Sequence, residues 1–476
     1  MTETTTNESG PEGPSRRQIL RAAGAATALG APTSLGRAQE GREAIAPPTL
    51  RIGLVGCGGR GGGAVRDALR ADPNVKLVAL GDAFEDRIDS KLTELLAEEE
   101  FKGRVEVPPE HRVVGLNCHE KVTDLVDVVL FASTPHFRPA QVEYAVKAGK
   151  HMFVEQPVAT DGPGLRRIWA ACNEAKDKNI AVVTGLCYRY QFAKRAVIEK
   201  IREGVIGDIK AIECSYDTGA LWHRGQSEDW SEMETQLRNW LYYTWASGDH
   251  IAEQAIHNLD KMIWAMDDKP PLSVKAQGGR IVRTDPKFGN VFDHFSAVYD
   301  FGSGVKGFFS CRQWAGAHRD VSDHIYGTKG VAHVQSHRIE GETKWRWRPE
   351  EGFVDNMYQN EHDQMFASIR AGKPNHDGDV MCRATLLALM GRMSAYTGKE
   401  ISWNQALESQ ENLAPAEYAW GDNPVPPVAQ PGITPFVCTP PRGSVRRSSG
   451  RPHERIATGG PRRAAPGAPA RAARSP

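Results

Sequence analysis

Leu50–Val55 reads as a short buried strand that runs directly into Gly56-Cys57-Gly58-Gly59-Arg60-Gly61, and the residues from Ala64 to Leu69 then read as a helix. Few folds accept that order. Gly56 permits the tight turn after the strand. Gly58 lets a pyrophosphate approach the backbone, and Gly61 lets helix and strand pack closely with the helix N-terminus facing the phosphates. The strand, glycine loop and helix together predict a dinucleotide-binding unit, in which Gly59 and Arg60 belong to the same loop. A second strand, Val75–Leu80, ends at Asp82, 26 residues beyond Gly56. A carboxylate there accepts hydrogen bonds from the ribose hydroxyls and repels a 2′-phosphate, which predicts NAD rather than NADP, although Arg87 nearby is the residue type that would accommodate the phosphate.

Two more apolar runs, Val126–Ala132 and His151–Val154, stop at Ser133-Thr134-Pro135 and at Glu155-Gln156-Pro157. Thr134, Pro135, Glu155 and Gln156 therefore fall at the carboxyl ends of parallel strands, the edge where a doubly wound sheet binds its ligand. Read alone, these ends could equally be turns that close the strands. With 476 residues the chain has room for two or three domains. Its zero formal charge hides an asymmetry, because residues 437–476 hold nine Arg, no Lys and one acid, Glu454, so the remaining body is acidic. An acidic body argues against nucleic acid as a partner. No run approaches the ~18 apolar residues of a membrane span, so the chain is not expected to be integral to a membrane. Eight scattered cysteines show no CxxC pair and read as small buried thiols. Ser15-Arg16-Arg17-Gln18-Ile19-Leu20-Arg21, followed by an Ala/Gly-rich run, reads as a twin-arginine signal. It implies the twin-arginine export machinery as a partner and a periplasmic or extracellular destination.

Residues 248–264 form the densest ionisable cluster. Were they one helix, His250, Glu253, His257 and Asp260 would share a face. Metal binding through His250, Glu253 and His257 lacks the H-E-x-x-H spacing and any cysteine, so no metal is expected. Trp222 and His223, with the aromatics from Trp230 to Trp245, offer stacking surfaces suited to a sugar ring, or equally to a core or a subunit interface.

The glycine loop, Ser133-Thr134-Pro135, Ala148-Gly149-Lys150-His151 and Glu155-Gln156-Pro157 together resemble the Gfo/Idh/MocA oxidoreductases, and the likeness continues through Gly327-Thr328-Lys329-Gly330 and Ala371-Gly372-Lys373-Pro374 to about residue 405. The resemblance implies an α/β chain with an N-terminal Rossmann doubly wound parallel sheet. A C-terminal α+β domain with a large, mostly antiparallel sheet, often used to form homo-oligomers, would follow it. The expected divisions are 1–49, signal and linker; 50–158, Rossmann domain; 159–405, substrate domain; 406–436, an extended Pro-rich segment; and 437–476, a disordered basic tail. Within the family's D-x-G-x-H-x-x-D pattern, Glu253 resembles the Asp, His257 the His and Asp260 the trailing Asp, while Arg189 resembles a position near the cofactor–substrate cleft. His257 is thus expected as the acid/base, Glu253 as its support, and Arg189, Trp222, His223, His250 and Asp260 as substrate-binding residues. One departure stands out. The family's Glu-Lys-Pro is here Glu155-Gln156-Pro157, so Gln156 would orient the alcohol or nicotinamide without titrating.

The composite expectation is an exported NAD(P)-dependent oxidoreductase that holds its NAD tightly and transfers hydride from a hydroxyl of a small carbohydrate, glycoside or cyclitol. Two alternatives share the fold: an NAD-dependent glycosidase or lyase that works by transient oxidation, and a sugar-binding protein that has lost catalysis.

Overall fold

The computed structural model of the protein describes residues 48–438. The expected signal lies outside them, as does the basic tail from residue 439. Leu50–Val55 (β1), Val75–Asp82 (β2), Arg112–Val114 (β3), Val128–Phe131 (β4), His151–Val154 (β5) and Val182–Thr184 (β6) form one sheet in the order β3-β2-β1-β4-β5-β6, with every neighbour parallel. Helices cover both faces, so β1, β4 and β5 are buried almost throughout, as the continuous apolar runs required. The strand order reverses between β1 and β4, and both the glycine loop and Thr134 lie at that switch point.

The expected boundary at residue 158 falls too early. Ile180–Leu186 reads as an apolar strand in sequence, and its Val182–Thr184 core completes the parallel sheet beside β5 rather than starting the next domain. The long Gly162–Asp177 helix is the crossover that a parallel neighbour demands.

The second sheet has nine strands. Ile209–Thr218 (β7), Ser273–Gly279 (β8), His294–Gly302 (β9), Val305–Gln313 (β10), Asp320–Gly327 (β11), Gly330–His333 (β12), Arg338–Gly341 (β13), Trp345–Arg346 (β14) and Ile401–Ser402 (β15) lie in the order β14-β13-β12-β11-β7-β10-β9-β8-β15. The strand patterns after residue 290 predict a simple meander. The structure instead inserts β7 between β10 and β11, parallel to β10 and antiparallel to β11. Strand periodicity reports which face is buried and carries no information about which edge a distant strand joins. All other pairings in this sheet are antiparallel.

The Gly378–Thr397 helix is buried on nearly every side and packs against β8 and the Gly162–Asp177 helix, tying the two halves together. Its Arg392 is wholly buried and donates from Nη1 to the Thr160 carbonyl at 2.6 Å and from Nη2 to Glu411 at 2.5 Å. Beyond the short Trp403–Leu407 helix, which crosses the expected 405 boundary, the chain runs without helices to Cys438. Gln410 N donates to the Val437 carbonyl at 2.8 Å, and Ser409 pairs with Cys438. Val437 and Cys438, expected to open the disordered tail, are thus bonded to the body of the protein.

Candidate active site

At the end of β1, Gly56 adopts φ +99°, a region that penalises side chains, and a methyl group there would collide with the backbone of Ala132 and Ser133. One at Gly61 would strike the Gly56 carbonyl, whereas methyls at Gly58 and Gly59 would meet nothing within 4 Å. The crowded glycines set the turn and the helix packing, and the open ones face the cleft. The Gly59–Ala71 helix starts here from Gly58 with no side-chain cap, leaving its first amides for an anion. Asp82 lines the same cleft of about 460 Å³ and accepts from Cys57 N at 2.7 Å and Phe84 N at 3.0 Å. Two amides fix the carboxylate at the place where ribose hydroxyls would reach it, while burial pushes its pKa up. The chain's own residues thus fit a dinucleotide.

The opposite wall comes from the other half of the chain: Trp222, Arg238 and Trp240 line this cleft. Arg238, at the end of the Glu232–Arg238 helix, bonds Asp86 at 3.1 and 3.2 Å and covers the Phe84 ring at 4.0 Å. Trp222 therefore lines the same cleft as the glycine loop, Asp82 and Glu253.

A second cavity of about 300 Å³ shares Arg60, Thr134, Trp240, Glu253 and Gln254 with the cleft and is also walled by Gln156, Tyr216, His257 and Tyr358. Gln156 Nε2 donates to His257 Nε2 at 3.4 Å, which puts the ring proton on Nδ1. That Nδ1, Gln156 Oε1 and Glu253 Oε2 are buried without partners. Three orphaned polar atoms around one small cavity are expensive unless a ligand satisfies them. Burial pushes the Glu253 carboxyl up to about 7, with the positive charges of Arg138 and Arg283 pulling the other way. Burial also pushes the His257 imidazole down to about 4. These shifts bear on the expected division of roles. Glu253 makes no hydrogen bond to His257 and its carboxyl is poised near neutrality, which suits a proton acceptor, while His257 is held neutral with its Nδ1 unpartnered.

Arg60 and Glu155 hold each other, and Arg60 Nη2 reaches Glu361 at 3.1 Å while the guanidinium covers the Tyr358 ring at 4.5 Å. They brace the cavity wall. Thr134 lines both cavities, and Pro135 is buried and opens the short helical turn behind it. Tyr216 and Tyr358 were missed in the sequence. Tyr216 is one of several polar alternations on β7, and Tyr358 is 142 residues further on, so no local pattern joins them.

Residues 248–264 are not one helix. His250–Glu253 and Ile256–Ala265 are separate, and Gln254 and Ala255 both donate to the His250 carbonyl, at 3.1 and 3.0 Å. The break divides the expected shared face. His250 is buried with its Nδ1 against Asp249 at 2.9 Å and its Nε2 3.4 Å from Cys311 Sγ. Asp260 faces away from the cavity and takes Arg189 at 2.7–3.0 Å, and Asp268 holds the other side of that guanidinium. Arg189 and Asp260 satisfy each other, and neither is among the residues lining the cavity. Glu253 and His257 alone of the four reach the cavity, which also separates the side chains considered as a metal set. His223 donates to the Lys287 carbonyl at 3.0 Å and lines a neighbouring cavity.

Residues 50–183 match the family model described as "Oxidoreductase family, NAD-binding Rossmann fold", and residues 195–333 match "GFO/IDH/MocA C-terminal domain". The chain belongs to the Gfo/Idh/MocA oxidoreductases. This Gfo/Idh/MocA chain is 25% identical over 72% of its length to inositol 2-dehydrogenase 3 of Saccharopolyspora erythraea, spanning 93% of that protein. It is 27% identical over 46% of its length to 2,7-anhydro-N-acetylneuraminate hydratase of Escherichia coli, and 25% identical over 49% to glycosyl hydrolase family 109 protein 1 of Bacteroides thetaiotaomicron. It spans only 56% and 50% of those two proteins, respectively. In fold it resembles the aldose–aldose oxidoreductase of Caulobacter crescentus, with TM-score 0.58 and 17% identity over 74% of this chain and 99% of that one.

Proposed function

We propose that the protein is an NAD(P)-dependent oxidoreductase acting on a hydroxyl of a sugar or cyclitol. What carries this reading is the cavity next to the dinucleotide cleft, where Glu253, His257 and Gln156 each leave a buried polar atom unpartnered. Bound NAD would supply the hydride acceptor, held by the Gly56–Gly61 loop and Asp82. When the substrate C–H bond gives up hydride, the O–H proton passes to the ionised Glu253, and the oxygen keeps a hydrogen bond from His257 Nδ1. Gln156 holds the imidazole in that tautomer. A positioned base of this kind contributes roughly 10²–10⁴-fold.

NAD over NADP follows from Asp82. Export and tight cofactor retention rest on Ser15–Arg21 alone, since folded export favours a cofactor that travels with the protein. A second reading has one observation in its favour. A carboxyl poised at about 7 also suits removal of a proton beside a transient ketone, so elimination or glycosidic cleavage could follow oxidation. Mass spectrometry of the cofactor carried by the purified protein, followed by a sugar and cyclitol panel with added NAD, tests both. Stoichiometric NADH with a ketone product supports the oxidoreductase, cleavage without net NADH supports the second reading, and sugar binding with neither product refutes both.

A further inference from the structure

The loop between β8 and β9 inverts the usual polarity of a surface. Ile281 and Val282 are 65% and 53% exposed, whereas the next residue, Arg283, is 4% exposed. The inversion is held in place, because the backbone amides of Ile281, Val282 and Arg283 all donate to Asp293 Oδ2, at 2.7–2.9 Å. Arg283 is turned inward over the Tyr242 ring, 5.1 Å from its centroid. Among the described residues its guanidinium has no side-chain hydrogen bond and no carboxylate in direct ion-pair contact, Asp249, Asp293 and Glu253 acting on it only through space, and Nη2 is enclosed without a partner. Of the other buried arginines, Arg189 pairs with Asp260, Arg392 pairs with Glu411, and Arg138 donates to the carbonyls of Pro157 and Ser133. An unpaired buried cation is costly, and a fold that clamps one in place calls for an anion.

Arg283 lines a cavity of about 550 Å³ with His223, Tyr242, Lys287 and Phe288, and no Asp or Glu is among the lining residues. Leu221 walls both this cavity and the dinucleotide cleft. Gln313, on its other side, donates to Gln254 at 2.7 Å, and Gln254 lines the catalytic cavity. The two cavities are therefore neighbours across one pair of glutamines.

We infer that this cavity is a carboxylate subsite, with Arg283 as the anchor, and that the substrate is an acidic sugar such as a uronic acid or a glycoside of one. The inference rests on the proposed sugar oxidoreductase and narrows its substrate class. A planar guanidinium matches a planar carboxylate in two-point contact, the aromatic floor of Tyr242 and Phe288 suits the apolar face of a sugar ring, and a single clamped cation balances a monoanion.

The test compares each of three acids (glucuronate, galacturonate and methyl glucuronide) with its neutral counterpart (glucose, galactose and methyl glucoside) on the cofactor-loaded protein by calorimetry. The expected result is at least tenfold tighter binding of one or more acids by the wild type. Arg283→Met should bring that ratio to within twofold, and Arg283→Lys should retain part of it. Taking the ratio removes any effect of the lost charge on Glu253, which both members of a pair share. Melting curves of both variants at the assay pH check that each keeps the fold. No acid preference in the wild type, or one that survives Arg283→Met, overturns the subsite, and so does binding of glucose 6-phosphate in place of the acids. Acid preference with no product from any sugar leaves the subsite standing and instead refutes the proposed oxidoreductase.

Discussion

At the residue scale, the proposed reaction turns on the protonation of Glu253. As the proposed base it must be ionised to take a proton, and burial holds its pKa near 7, so kcat/KM for oxidation should rise with pH to a plateau above about 7. Glu253→Gln should abolish that limb and lower kcat by about 10²–10⁴-fold, measured by pH-resolved steady-state kinetics. The same shift has a stability sign. The folded pKa lies above the ordinary value of 4.5, so the folded state favours the protonated carboxyl; its contribution is fully present below 4.5 and is lost as pH rises through about 7. Glu253→Gln should accordingly raise Tm at pH 8 relative to the wild type. Gln156→Lys restores a charge beside the reacting oxygen, where preorganised charge is typically worth several kcal/mol, and should raise the rate of alcohol oxidation in the same assay. Asp82→Ala should weaken NAD and narrow the gap to NADP, because it removes the ribose acceptor and the charge that repels a 2′-phosphate; dinucleotide titrations check both changes.

At the scale of elements, the break at Gln254 organises the site. It leaves Glu253 and His257 on the cavity while Asp260, one turn further, turns to Arg189. That pair is nearly inaccessible, with side-chain exposures of 11% and 1%, so deleting Arg189 strands the Asp260 carboxylate. Arg189→Met should destabilise the fold by about 3–5 kcal/mol, and Arg189→Met with Asp260→Leu should recover most of that loss in chemical denaturation. Were Arg189 a substrate ligand, KM would move instead.

Across the whole molecule, the segment after Leu407 acts as a staple. Leu413 N donates to Asp161 at 3.0 Å, Tyr418 meets His136 at 2.7 Å, Trp420 packs on Phe84 with centroids 5.5 Å apart, and Asn423 bonds Gln236 at 2.9 Å. These contacts join the Rossmann edge to the Glu232–Arg238 helix that walls the dinucleotide cleft. Truncation after Leu407 should lower Tm by several degrees and speed loss of the dinucleotide during gel filtration, both relative to the full chain.

Local pattern carried much of this protein. The turn at Gly56, the buried strands of the parallel sheet and the acidic end of β2 are legible because each depends on residues within a few positions of one another, where backbone sterics and periodicity act directly. The Glu253–His257 cluster was legible as a cluster for the same reason. The division of labour within it was not, since a pKa is set by burial and by charges such as Arg138 and Arg283, brought in from distant segments. Nor could the sequence pair Arg189 with Asp260, place β7 between β10 and β11, or turn Arg283 inward while its neighbours face water. Those outcomes depend on contacts between residues tens to hundreds of positions apart, and only packing in three dimensions decides them.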